Sequence, residues 1–422
     1  MPTYTKRMSK RILFLSNGHG EDLNATLVLK ALQQIAPDIE VAALPIVGDG
    51  NAYRRLGVPI VGPTRRLPSG GFNYINFARL LNPVNWFRDF NPLNLVKDVF
   101  SGLLALTWEQ LQAVRRYSQD CDLLFATGDV VPILFAYLTG RPFMAFMVST
   151  SSYYEGRAKV PPLAMLGLRS QRCTHIFTRD AFTAQDLQGR GLSKACFAGY
   201  PIMDVLAPTG KDLHLVPHQP TIALLPGSRL PEALHNFALQ LQLCEILFQK
   251  QPTQFQAALV PSITDDHLQD LADRQGWYLK ERGHLVKGDV HVFCHHDAFS
   301  DILQACDLAV GMAGTAVEQA VGLGKPVVQI IGTGPQFTYP FAEAQMRLLG
   351  LSVITVGKWA ATPALLEEAA NTIITLLKDE DYAQRCQQNG KERVGEPGGS
   401  TKIAGHLVDY FSENPKVGSA AP

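Results

Sequence analysis

The sequence predicts an α/β protein built from two doubly wound parallel-sheet domains. Three observations predict it. Residues 306–331 (CDLAVGMAGTAVEQAVGLGKPVVQII) read as a short apolar strand, a glycine turn, a helix closed by Gly322 and Gly324, and a β-branched strand apolar enough to be buried on both faces. The same strand–turn–helix order recurs at residues 11–36, 123–139 and 221–249. The chain has 422 residues, too many for most single cores, and residues 207–220 (APTGKDLHLVPHQP) carry three prolines and no apolar period, as a linker does.

Taken in order, residues 11–16 (RILFLS) are a first strand, 17–20 (NGHG) a turn and 21–36 an amphipathic helix ending at Pro37. Strands follow at 40–44 and 58–61, then at 123–126, 142–148 and 174–178, with a helix at 132–139 and a closing stretch at 197–204 (FAGYPIMD). Residues 68–116 break this rhythm. They hold paired glycines, Asn-Pro turns, interspersed Lys and Arg, and the aromatics Phe72, Tyr74, Phe77, Trp86, Phe87, Phe90, Phe100 and Trp108, with a helix expected over 100–114. Such an insertion reads as a peripheral membrane or lipid-acceptor surface, or equally as aromatics that fill the core and the contacts of an oligomer. After the linker come a strand at 221–225, a turn at 226–229 (PGSR), a long helix at 231–249, strands at 255–260 and 290–293, and helices at 343–349 and 363–377. The expected domains are therefore 1–206, with the insertion, and 221–394, joined by 207–220. A last helix and tail over 395–422 can cross back to the first domain.

The composition narrows the function. Lys and Arg number 38 and Asp and Glu 38, so nothing points to nucleic acid. The seven cysteines are scattered without metal-ligand spacing, which fits a reducing, cytoplasmic compartment and no metal. The basic start is followed by too short an apolar run for a signal peptide, and no run of about 18 uncharged apolar residues predicts a membrane-crossing helix. Membrane contact, if any, is expected to be peripheral. No GxxxxGK[ST] sequence occurs, which argues against ATP hydrolysis.

Doubly wound sheets bind ligands at the carboxyl ends of their strands, and two such domains are expected to face each other across a cleft. In the second domain two turns fall on that side. Pro226 to Arg229 offers backbone N–H groups and a guanidinium able to grip a pyrophosphate with two hydrogen bonds. The turn ending at Gly314 and Thr315 offers a helix start, with free N–H groups and the positive end of the dipole. Glu318, one turn into that helix, is placed to reach a ribose, or is an ordinary exposed helix residue. Together the turns describe a nucleoside diphosphate site that needs no metal.

These residues resemble a known family. LLPGSRLPEA (224–233) is similar to the LLPGSR-x-x-E signature of lipid-A-disaccharide synthase, AGYPIMDVL (198–206) to its GHP-L-V-D stretch, GMAGTAVEQAVGLGKPVV (311–328) to its SGTATLEA…PMVV segment, and SNGHGEDLNA (16–25) to its GEASGD-x-x-GA loop. Order and spacing agree across roughly the whole chain. The resemblance implies a GT-B fold and an inverting transfer from a UDP-sugar, of UDP-GlcNAc type, to a lipid-linked acceptor. No cofactor beyond that donor substrate is implied. UDP-GlcNAc 2-epimerases share the two-domain plan, and a non-catalytic relative that binds a nucleotide sugar or lipid is the remaining reading. The chain departs from the synthase in carrying His19 in the first loop, in keeping one clear carboxylate, Asp129, at 128–132 (GDVVP), and in its aromatic insertion. These departures suggest a related enzyme with a different lipid acceptor.

The resemblance also implies site residues. A base on the acceptor side comes from His19 or Asp129; alternatively His19 bonds locally and Asp129 caps the following helix. Glu21 and Asp22 read as first-turn residues that favour the helix dipole. On the donor side Gly227, Ser228 and Arg229 hold the diphosphate, unless Arg229 is a surface ion pair. Gly314 and Thr315 cradle its other face, Glu318 reads the ribose, and Gln345 or its neighbour Glu343 holds the sugar. His295 and His296 lack a third ligand for a metal. They lie where backbone groups would meet uracil.

Overall fold

The computed structural model describes residues 10–65, 102–128, 130–334 and 337–414, with the side chains of His19 and Arg282 outside that description. It divides into two compact units, 1–201 with 397–422 and 202–396. The first contains β1 (Arg11–Ser16), α1 (His19–Ile35), β2 (Glu40–Pro45), α2 (Asn51–Arg55), α3 (Leu103–Ser118), β3 (Leu123–Thr127), α4 (Val130–Leu138), β4 (Phe143–Met147), α5 (Pro162–Arg169), β5 (Cys173–Thr178), α6 (Ala181–Gly189) and β6 (Ala195–Cys196). The second contains β7 (Thr221–Leu225), α7 (Glu232–Lys250), β8 (Gln254–Ala258), α8 (Asp265–Gln275), β9 (Tyr278–Lys280), β10 (His284–Lys287), β11 (Val290–His295), α9 (Phe299–Ala305), β12 (Leu308–Gly311), α10 (Thr315–Gly322), β13 (Val327–Ile330), α11 (Tyr339–Leu349), β14 (Val353–Val356), α12 (Pro363–Leu377) and α13 (Glu380–Arg393). The last helix, α14 (Gly399–Glu413), returns to the first unit.

The first sheet runs β2-β1-β3-β4-β5-β6, with every pair parallel. The strand expected at 58–61 is reduced to a single parallel bridge from Ala43 to Ile60, beside β2. The strand order reverses between β1 and β3, which makes their carboxyl ends the switch point of this sheet. β1, β3 and β4 are apolar runs buried on both faces, because helices cover both sides. α1 turns Ala25, Val28, Leu29 and Leu32 inward at helical spacing. Of the insertion expected at 68–116, residues 68–101 lie outside the described residues. The helix expected at 100–114 is described as α3 from Leu103, with Leu104 and Trp108 exposed.

The second sheet runs β14-β13-β12-β7-β8-β11-β10-β9. The six strands from β14 to β11 are parallel, and β10 and β9 extend the sheet antiparallel. Here the order reverses between β7 and β12. Residues 202–206 belong to this unit rather than to the first, and Gln319 Nε2 donates to the Ile202 carbonyl at 2.7 Å. The stretch read as a linker is tied to the same unit. Asp301 accepts from the Thr209 backbone N–H, the Thr209 hydroxyl and the Gly210 N–H, all at 2.8 Å.

α14 buries Ile403, Ala404, Leu407, Tyr410 and Phe411 and packs along α1. Gly399 lies so close to the 199–200 backbone that an added Cβ would stand 2.7 Å from the Gly199 carbonyl carbon. The C-terminal segment is thus part of the first unit's core. Leu407→Ala should lower stability by about 2–4 kcal/mol in equilibrium denaturation. An unchanged midpoint would mean that α14 contributes nothing to the fold.

Candidate functional site

The site in the second unit begins with strand register. β7 and β12 pair so that Leu225 stands beside Gly311, and the Met312 N–H donates to the Leu225 carbonyl at 2.8 Å. The turns after these strands therefore leave side by side at the switch point. Gly227 has φ of 102°, and a Cβ there would stand 3.1 Å from the Met312 carbonyl oxygen. This close approach of the two turns needs glycine. Ser228 and Arg229 follow, exposed, and α7 opens behind them. The structure thus brings Gly227, Ser228, Arg229, Gly314 and Thr315 to adjacent strand ends, with Glu318 half-buried one turn into α10.

Buried side chains hold both turns from behind. Asn236 donates to the Pro226 carbonyl at 3.0 Å, and Gln240 donates to Val310 O at 3.1 Å. Gln345 donates to the Gly314 carbonyl at 3.2 Å, accepts from Gln329 at 2.6 Å, and Gln329 in turn accepts from the Thr355 hydroxyl at 2.9 Å. Gln345 and Gln329 are both buried. The amide of Gln345, expected to hold the sugar, is engaged inside the unit, on the turn that opens α10. Glu343, its rival, makes a 3.8 Å ion pair with Arg347 one turn on, at the surface of α11. Glu232, read only as part of a motif, is buried and accepts the Phe337 N–H at 2.8 Å. Partial desolvation of its guanidinium at the surface lowers the Arg229 pKa and the negative charge of Glu232 raises it, so the two side chains sense each other across the first turn. His295 Nε2 donates to the amide oxygen of Gln256 at 2.8 Å, and burial lowers its pKa; His296 is exposed.

In the first unit Ser16 of β1 stands beside Thr127 of β3. His19 is the first residue of α1 rather than part of a free turn, because the Asp22 N–H already closes on the Gly18 carbonyl at 2.7 Å. Asp129 lies outside the described residues. The first-turn carboxyls that sequence reading assigned to the dipole have separate fates. Asp22 is buried and accepts from the Ser16 hydroxyl at 2.5 Å, and Ser16 accepts from the Tyr53 hydroxyl at 2.7 Å. Burial, with a smaller push from Glu21, raises the Asp22 pKa to about 7, against the pull of the Ser16 hydrogen bond. Glu21 is half-buried and accepts a hydrogen bond from Ser149, just after β4. A signal for this was present, since adjacent helical residues point about 100° apart and two carboxyls in a row cannot share one environment. Which of them faces inward needed Tyr53, 31 positions from Asp22 in sequence, to be placed.

No protein-family model matches the chain. A lipid-A-disaccharide synthase of Geobacter sulfurreducens is 27% identical over 235 residues, which are 51% of this chain and 57% of that protein. One from Gloeothece citriformis is 23% identical, across 94% of this chain and 99% of its own length. The chain is similar to lipid-A-disaccharide synthases. Its match spans little more than half the length of the first of these relatives. Among solved structures, the calicheamicin glycosyltransferase superposes with a TM-score of 0.60 at 15% identity, covering 96% of this chain and 98% of that one. A putative UDP-N-acetylglucosamine 2-epimerase of Listeria monocytogenes gives 0.58 at 12%, covering 96% and 97%. The UDP-GlcNAc 2-epimerase of Neisseria meningitidis, bound to UDP-GlcNAc, gives 0.54 at 14%, covering 96% and 100%. At these identities the likeness establishes the fold: Rossmann-like parallel-sheet domains of the GT-B kind.

The buried Asp22 makes a prediction about stability. Its folded pKa is raised, so its contribution to stability is complete below the ordinary carboxylate range and is lost as pH rises through the folded value of about 7. Relative to Asp22→Asn, the wild type should lose up to about 4 kcal/mol between about pH 4 and about pH 7, then run parallel. Denaturation curves that keep a constant separation across that window would contradict the buried acid.

Proposed function

We propose that this chain is an inverting glycosyltransferase that moves a sugar from a UDP-sugar donor to a lipid-linked acceptor at a membrane surface. The observation that carries the reading is the pair of turns at the β7/β12 switch point, with Arg229 on one and the start of α10 on the other. A diphosphate seated there meets a guanidinium and backbone N–H groups, the partners that a leaving UDP needs as its negative charge grows. The names of the related synthases and the UDP-GlcNAc in one structural neighbour support a donor of that type. Among the described residues no helix is long and apolar enough to cross a membrane, so a lipid acceptor would be met at the surface.

In the transfer, an acceptor hydroxyl oxygen attacks the anomeric carbon. The new C–O bond forms as the bond to the diphosphate oxygen breaks, UDP leaves with the electron pair, and the hydroxyl proton passes to a base. The acceptor-side base is proposed to be His19 or Asp129, at the ends of β1 and β3. Glu318 is assigned to the ribose, and Thr315 and Ser228 to the phosphates. A second reading, a UDP-GlcNAc 2-epimerase-like enzyme, is favoured by the epimerases among the structural neighbours. It needs no lipid, so conversion of UDP-GlcNAc in lipid-free buffer distinguishes it.

Calorimetry with UDP tests the donor site. Arg229→Ala should weaken UDP binding about 10- to 100-fold, the worth of a charge-assisted pair, whereas wild-type affinity in that variant would remove the residue from the site. His19→Ala and Asp129→Ala should keep UDP affinity, and the one that is the base should lose about 100-fold or more in transfer. If both variants transfer at wild-type rates, the base lies elsewhere. Gln345→Leu should weaken UDP about 10-fold while leaving uridine binding unchanged, because it releases only the turn that meets the diphosphate. Equal losses for both ligands would point to general misfolding.

A further inference from the structure

Resting on the donor-site reading, we propose that Phe341 is the platform for the sugar of the donor: its ring packs against the C–H face of the hexose that the diphosphate carries.

Phe341 and Gln345 lie four residues apart on α11, so they share one face of that helix. Both meet Gly314, the residue before α10. Gln345 donates to the Gly314 carbonyl at 3.2 Å. Phe341, one turn earlier, brings its ring tip to the same residue: a Cβ on Gly314 would stand 3.8 Å from Phe341 Cζ. The two side chains differ in exposure, Gln345 being 4% exposed and Phe341 40%. The turn that they meet, at Gly314 and Thr315, is half-buried. α11 therefore braces this turn with a buried amide and sets an open phenyl ring against it.

The ring is tied to the other turn of the site as well. Phe337, 3% exposed, packs edge-to-face with Phe341, with ring centroids 5.7 Å apart. The Phe337 N–H donates to Glu232 Oε1 at 2.8 Å, and Glu232 is the carboxylate whose charge Arg229 senses. A chain of neighbours thus runs from Arg229 through Glu232, Phe337 and Phe341 to Gly314. Its two ends are the two turns proposed for the diphosphate, which places the ring beside that seat.

Chemistry selects the sugar as the group that meets the ring. Phosphate oxygens gain nothing from the face of a phenyl ring, whose π cloud is negative. The groups bonded to the diphosphate are the ribose and the hexose, and the ribose is assigned to Glu318, within α10. The hexose remains. Its ring C–H groups carry slight positive charge and apolar surface, which suit an aromatic face. Gln345, the group expected to hold the sugar, is engaged with Gly314 and Gln329. The same face of α11 then offers the sugar a ring in place of an amide.

Calorimetry with UDP and with UDP-GlcNAc tests this. Phe341→Ala should weaken UDP-GlcNAc binding about 10-fold, the worth of one aromatic contact with its buried area, and leave UDP within about 2-fold of the wild type. Phe341→Tyr keeps the ring and should bind both ligands as the wild type does. If Phe341→Ala weakens both ligands equally, the ring only supports the α10 turn and the inference falls. It falls also if neither affinity moves. In both cases UDP binding by the wild type leaves the donor reading standing. A wild type that binds neither ligand overturns the donor reading, and this inference with it.

Discussion

Two parallel strands whose chain continues in opposite directions across a sheet leave a gap at their carboxyl ends, because the helices that follow them pack on opposite faces. That constraint occurs twice here, between β1 and β3 and between β7 and β12. The loops at each gap are short and glycine-containing, since two backbones must leave the sheet side by side. Everything proposed about ligands depends on these gaps. Arg229 and the α10 start, the proposed donor groups, flank one, and the carboxyls of α1 flank the other.

The loops at the gaps are not held by their own backbone alone. In the second unit, amide side chains from α7 and α11 reach carbonyls at the two turns and the strand beside them: Asn236 on Pro226, Gln240 on Val310 of β12, and Gln345, backed by Gln329 of β13, on Gly314. Tying down a carbonyl fixes the peptide that carries the next N–H, so these buried amides set where the outward N–H groups aim. Such groups are costly to bury and are retained where the geometry they impose is needed. The first unit uses hydroxyls and a carboxyl for the same purpose, with Tyr53 and Ser16 holding Asp22 beneath the loop that leads into α1.

The two gaps have different chemical characters. The donor gap offers cationic and N–H groups, suited to an anionic leaving group. The gap of the first sheet offers carboxyl and hydroxyl groups, suited to a neutral hydroxyl that must be oriented and deprotonated. Transfer of a sugar from a diphosphate to an alcohol needs both kinds of environment, and the proposal of donor at the second unit and acceptor at the first rests on that contrast.

Much of this was legible in the chain itself. The apolar runs at 221–225 and 326–331, and the glycines at 227 and 314, announce parallel strands and phosphate-ready turns, because local period and glycine placement are properties of short segments. The tertiary structure decided which polar side chains of those segments face inward. Gln345, a sugar ligand by resemblance, has its buried amide on the Gly314 turn; Glu21 and Asp22, alike in sequence, point to different environments; His19, in a Gly-flanked turn by sequence, begins a helix. Residues 202–206 likewise belong to the second unit, whereas the helix at 399–413 crosses back to the first as its position after the second domain allows. For Gln345, Glu21 and Asp22 the deciding partner is distant in sequence: Gly314 for Gln345, Ser149 for Glu21, Tyr53 through Ser16 for Asp22. Helical and strand periods dictate the face a residue can occupy, but only the order of strands in the sheet decides what that face meets.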